Sequence, residues 1–93
     1  MNKLEILIND YPNAELLSAD GFDDAIIGIA YNKFTGEHII VYSKSKCIDI
    51  LVNRDNMSHD EAQEYFEYNV EGSYVGEKTS IWVDDEMFQD YGE

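Results

Sequence analysis

The apolar positions of this chain change period several times, and each change marks an element. Near the start, Leu4, Leu7, Ile8 and Tyr11 follow helical spacing, while Leu4, Ile6 and Ile8 follow strand alternation. The flanks decide. Asn2 stands as an N-cap with Glu5 three positions on in capping-box spacing, and Pro12 blocks continuation, so a short helix over residues 3–10 is predicted. Residues 14–24 read as an irregular connection with Asp20-Gly21 as a turn. Two segments rich in Ile, Val and Tyr, 25–31 and 38–42, flank a polar stretch containing Thr35-Gly36 and predict an antiparallel hairpin. Ser43 or Ser45 caps a second helix running to about Asn53, with Cys47, Ile48, Leu51 and Val52 on one side.

The third helix carries the strongest signals. Ser58 and Glu61 form an S-x-x-E capping box, Met57 and Ala62 occupy the hydrophobic-staple positions, and Gly72 stands where the helix should end. At about 100° per residue, Ala62, Tyr65, Phe66, Asn69 and Val70 fall in one arc, and Asp60, Glu64, Glu67 and Glu71 line the opposite side. Residues 79–83 form a third strand, and an acidic tail follows. The expected architecture is α+β: a small antiparallel sheet of about three strands with about three helices packed on it, all within a single acidic domain over residues 1–93.

Charge changes the picture next. The chain has 20 acidic and 6 basic side chains and a formal net charge of −14. From Asp55 onward there are twelve acids and one base, Lys78, against eight acids and five bases before it. Such a field repels nucleic acid and anionic lipid and attracts basic protein surfaces. It also lacks the basic stripe that direct DNA or RNA binding requires. Along the third helix the four carboxylates repeat at about 6, 4.5 and 6 Å, with no Lys or Arg at i+4 to pair with them. One reading is a solvated face. The other is an acidic docking surface formed by Asp60, Glu64, Glu67 and Glu71, joined by Asp84, Asp85, Glu86 and Asp90, with Tyr68 as an aromatic anchor at its edge.

Catalytic and metal chemistry find little support. Gly72 and Gly76 match neither a dinucleotide nor a P-loop fingerprint, and Asp20, Asp23 and Asp24 do not match an EF-hand loop. His38 and His59 lack metal-ligand or Cys-His spacing, and Cys47 reads as a small core residue. Neither an enzyme activity, a cofactor nor a metal is expected. One cysteine excludes an intrachain disulfide, no apolar leader opens the chain, and no apolar run approaches the roughly 20 residues of a membrane span, so a cytoplasmic protein is expected.

Residues 57–82, MSHDEAQEYFEYNVEGSYVGEKTSIW, resemble a group of small, mostly uncharacterised acidic bacteriophage proteins. The recurring pattern is M-S-x-x-E-A-x-E-Y/F-F-E-Y/F-N followed by G-A/S-Y/W-V-G-E-x-T-P. The segments around 22–28 and 41–51 are similar too. Asn56 stands where the pattern has Gly, a substitution that tolerates a left-handed turn, and Ser80 stands where it has Pro. The resemblance implies an accessory protein acting in the cytoplasm of an infected bacterial host and supplies no catalytic residues. Together with the charge it leads to one expectation: a non-catalytic inhibitor that blocks a host nucleic-acid-handling protein, in the style of an anti-CRISPR or DNA mimic, by occupying its phosphate-binding Lys and Arg. The alternatives are a small-ligand or nucleotide-binding module, with Tyr31, Tyr42, Tyr65 and Tyr74 lining a pocket at a possible homodimer interface, and a structural or assembly protein.

Overall fold

The computed structural model describes residues 2–72 and 80–87. The first helix, α1 (Lys3–Asp10), has the predicted bounds. Asn2 Oδ1 accepts from the Glu5 N–H at 2.9 Å, and Glu5 Oε1 accepts from the Asn2 N–H at 3.0 Å. Leu4 and Leu7 pack against the core, whereas Ile6 and Ile8 stay exposed. The irregular connection ends in a 3₁₀ turn, Asp23–Ala25, to which the Lys3 ammonium is tied through the Asp24 carbonyl at 3.0 Å.

Strands β1 (Ile26–Asn32) and β2 (Glu37–Ser43) form the predicted hairpin, with one bulge that displaces Ile27 to solvent. Helix α2 (Lys44–Asp55) starts directly from β2 on the Ser43 cap, whose Oγ accepts from the Lys46 N–H. It ends on Asn56 in the left-handed conformation (φ 58°), the role expected of Asn at that position. Cys47, Ile48 and Leu51 are buried and Val52 packs at the edge of the core. Burial pushes the Cys47 thiol up to about 12. In the folded protein Cys47 should therefore resist thiol-reactive dye at mildly alkaline pH and react fully once guanidinium unfolds the chain; fast labelling of native protein would contradict this packing.

The last strand, β3 (Ile81–Val83), departs from expectation in direction. It pairs with β2 in parallel, Val41 opposite Ile81, Tyr42 opposite Trp82 and Ser43 opposite Val83, so the sheet is mixed, in the order β1-β2-β3. The physical reason is the connection. A parallel return needs a long crossover that is usually helical, and the helices after β2 supply it. The α+β class and the three-strand, three-helix content are as predicted. Thr79, placed at the start of this strand by the sequence, lies outside the described residues.

The core gathers Phe22, Ala25, Ile26, Ile40, Tyr42, Cys47, Ile48, Leu51, Ala62 and Phe66 between the sheet and the helices. Tyr42, wholly buried, stacks on Trp82 with ring centroids 4.7 Å apart, and Phe66 meets the same indole edge-on at 5.2 Å. This cluster joins β2, β3 and the third helix. The edge-on contact of Phe66 is one of the favoured aromatic geometries.

Candidate functional site

The capping box of α3 (His59–Tyr65) is present in both halves, Ser58 Oγ accepting from the Glu61 N–H at 3.1 Å and Glu61 Oε1 from the Ser58 N–H at 2.9 Å. The helix then changes type. Phe66–Glu71 form a π-helical segment, so the 100° rotation assumed for the whole element holds only through Tyr65. Gly72 closes it in the right-handed region (φ −72°, ψ −10°), not the left-handed cap conformation. A Cβ there would lie 3.1 Å from the Tyr68 carbonyl oxygen and 3.2 Å from that of Glu67, so glycine permits the close approach of the last turn. Ala62 and Phe66 are buried, but Tyr65 and Asn69, assigned by spacing to the same arc, remain exposed.

The change of pitch accompanies a division of the acidic stripe. Glu67 and Glu71 both reach Lys44 at the start of α2, at 3.3 and 3.9 Å from its Nζ. Lys44 is 7% exposed, with its ammonium 5.9 Å from the Phe66 ring centroid. Burial alone would lower the Lys44 pKa, but the Glu67 hydrogen bond and the nearby Glu71, Glu67 and Asp84 charges outweigh it and raise it above the ordinary lysine value. The cation absent at i+4 is thus supplied by another helix, and half of the stripe is committed to holding α2 against α3. Asp60 and Glu64 are exposed and make no ion pair among the described residues.

The acids after β3 divide similarly. Asp85 turns inward: its Oδ2 accepts from Ser43 Oγ at 2.6 Å and its Oδ1 from the Ser45 N–H at 3.0 Å, so it clamps the N-terminus of α2. Glu86 lies 3.5 Å from the His59 imidazole, tying the end of the described chain to the start of α3. Asp84 is exposed, its Oδ1 accepting from the Glu86 N–H at 3.5 Å. Asp90 lies outside the described residues. The docking surface named from the sequence is therefore two populations of carboxylates: Asp60, Glu64 and Asp84, which make no ion pair among the described residues, and Glu67, Glu71, Asp85 and Glu86, which bond Lys44, the start of α2 or His59, with Glu67 and Glu71 still exposed as they do so.

What faces solvent with Asp60 and Glu64 is aromatic. Tyr68 is 79% exposed and Tyr65 42%, and the two line a shallow groove with Met57, Glu61, Glu64 and Asn69. From His59 to Gly72 the sequence has five acids and no Lys or Arg. This face offers negative charge, hydrogen-bond acceptors and large rings. Single-sign charge with exposed aromatics suits the docking of a cationic protein surface.

Among the described residues, the tyrosines named for an aromatic pocket lie in different parts of the fold. Tyr31 packs against His38 at the hairpin end with ring centroids 5.0 Å apart, Tyr42 is in the core, Tyr65 is on α3, and Tyr74 lies outside the described residues. Among the described residues no group of three or more His, Cys, Asp or Glu side chains is placed to hold a metal ion. Sequence reasoning missed Lys44, Arg54 and Trp82. A lysine directly after a Ser cap carries no mark of burial, and lysine is rarely fully buried.

Fold and surface together define a small α+β protein with an acidic, aromatic helix face and, among the described residues, no helix long and apolar enough to cross a membrane. Comparison with protein-family models, curated proteins and solved structures returned no match.

Proposed function

We propose that this protein is a non-catalytic binding protein of the bacteriophage accessory type, acting in the cytoplasm of an infected bacterium. Its acidic face docks on a basic surface of a host protein that handles nucleic acid, such as a defence nuclease. The mechanism is occlusion. Carboxylates take the positions of phosphates against Lys and Arg of the partner, as in an anti-CRISPR or other DNA mimic. The observation that carries this reading is Tyr68, 79% exposed, in one groove with Glu64, which like Asp60 nearer the start of the helix meets no cation among the described residues. Exposed carboxylates without counterions steer association with a cationic partner, and an exposed ring supplies the desolvated anchor that charge alone lacks.

The division of the stripe dictates the test. Replacing Glu67 and Glu71 would strip buried Lys44 of its counterions and confuse binding with stability. The informative variants are Asp60→Asn with Glu64→Gln, and separately Tyr68→Ala. Tagged wild-type and variant proteins are incubated with bacterial lysate at low and high salt, with and without nuclease treatment. Nucleic-acid-binding proteins retained at low salt, released by salt or added DNA, and bound about tenfold more weakly by Tyr68→Ala are the expected result. The charge variant should mainly slow association and flatten its salt dependence. Equal capture by wild type and both variants would remove this face from the mechanism.

A further inference from the structure

Strand β1 is one edge of the sheet: it pairs with β2 on one side and with no other strand among the described residues. An edge strand leaves backbone N–H and C=O groups open to another chain, and soluble proteins guard such edges with lysine, proline, a bulge or a very short strand. Here the guard is partial. The seven residues Ile26–Asn32, IIGIAYN, hold no charged side chain and no proline. The bulge falls between Ile26 and Gly28, and the register from Gly28 to Asn32 is regular.

The two ends of this edge differ in a complementary way. At its start, Ile6 and Leu7 of α1 with Ile26 and Ile27 form an apolar groove of about 390 Å³ bordered by Lys3 and Lys46. Ile6 and Ile27 are each nearly half exposed there. Just past its end, Phe34 is 90% exposed, with the Lys33 ammonium 5.7 Å from its ring centroid. Charge also sets this edge apart. Among the described residues Lys44 and Arg54 are ion-paired, whereas Lys3, Lys33 and Lys46 make no ion pair, and all three flank β1. In a chain of net charge −14, cations gathered along one edge lower the repulsion between two copies that meet there.

We propose that a second copy of this chain adds to this edge, β1 pairing antiparallel with its own counterpart about a two-fold axis so that two three-stranded halves become one sheet. Such an isologous pairing closes on itself and sets the end of each strand against the start of the other. Phe34 of each copy then comes to the Ile6–Ile27 groove of the other, and Lys33 comes to the exposed Asp24 that precedes the other strand. Ring meets apolar groove and cation meets carboxylate, twice by symmetry. No charged side chain of β1 itself has to be buried. This surface shares no residue with the groove on α3, so it stands or falls independently of the docking proposed there.

Sedimentation velocity of the full chain, from micromolar to millimolar concentration, tests the pairing. A reversible equilibrium between monomer and dimer is expected. Phe34→Ser should weaken it about tenfold, while the monomer fold, which leaves this ring in solvent, is indifferent to its loss. Lys33→Glu should weaken it as well, and adding Asp24→Lys to Lys33→Glu should restore part of the loss, because the exchanged charges attract again. All three positions are exposed, so the urea midpoints of the variants should stay near that of wild type. A monomer at every concentration would overturn the proposal. So would a dimer as tight in Phe34→Ser and Lys33→Glu as in wild type, which would put the interface elsewhere, or growth beyond the dimer, which a closed two-fold pairing forbids.

Discussion

Replacing Phe66 by Ala should cost about 3–5 kcal/mol of stability, a large share of the roughly 5–15 kcal/mol that holds a domain of this kind folded. Phe66 is fully buried, meets Trp82 edge-on at 5.2 Å, lies under the Lys44 ammonium at 5.9 Å and opens the π-helical segment. Truncation would leave a cavity at the junction of β3, α2 and α3, lined by Trp82 and the other core side chains. Urea unfolding followed by far-ultraviolet circular dichroism reads the loss as a lowered midpoint, and tryptophan emission should shift to the red as Trp82 loses its neighbour. Tyr68→Ala, two residues on but 79% exposed, should leave the midpoint almost unchanged. Equal effects of the two substitutions would refute the packing described for this helix.

The second large effect belongs to Asp85. Burial pushes its carboxyl up, but the hydrogen bonds from the Ser43 hydroxyl and the Ser45 N–H and hydroxyl, with its own backbone N–H, outweigh that and hold it below the ordinary aspartate value. A carboxyl with a depressed folded pKa contributes stability above its unfolded value, about 3.9, and loses it as pH falls through the folded value. Wild-type protein should therefore lose stability on acidification below about pH 4. Asp85→Asn should remove about 1.5–3 kcal/mol at neutral pH, the worth of hydrogen bonds to a charged acceptor, and should flatten that acid limb. Ser43 is wholly buried and Ser45 nearly so, so their donors would lose their charged acceptor in a place water does not reach. Denaturant midpoints measured across acidic to neutral pH separate the outcomes. An acid limb as steep in the variant as in wild type would show that other carboxylates control it.

The same residue shows why the acidic surface was only partly legible. Composition placed Asp84, Asp85 and Glu86 together as three like charges, and nothing local distinguishes them. In the fold Asp84 is exposed, Asp85 caps α2 and Glu86 meets His59. The stripe on the third helix divides for a related reason. Its spacing assumed one helical pitch, and packing against α2 accompanies a π-helical segment that gives Glu67 and Glu71 a buried cation. Charge alone therefore does not distinguish the carboxylates that bond within the fold from those that do not. The part of the helix stripe without an ion pair among the described residues is Asp60 and Glu64, with exposed Tyr65 and Tyr68 beside Glu64 in one groove.

By itself the sequence determined the features whose causes lie within a few residues. These are the bounds of α1 and both capping boxes, the hairpin, a serine cap on α2 at one of Ser43 and Ser45, the left-handed turn tolerated by Asn56 and the burial of Cys47. Each rests on a side chain bonding a backbone group about three positions away, on strand or helix periodicity, or on one residue's tolerance of an unusual backbone angle. Only the tertiary structure decided the parallel direction of β3, the π-helical turn, the burial of Lys44 and the clamp by Asp85. Those depend on groups far apart along the chain, as with Ser43 and Asp85, 42 positions apart. Their energies exist only once the sheet and helices have packed, and no local pattern records them.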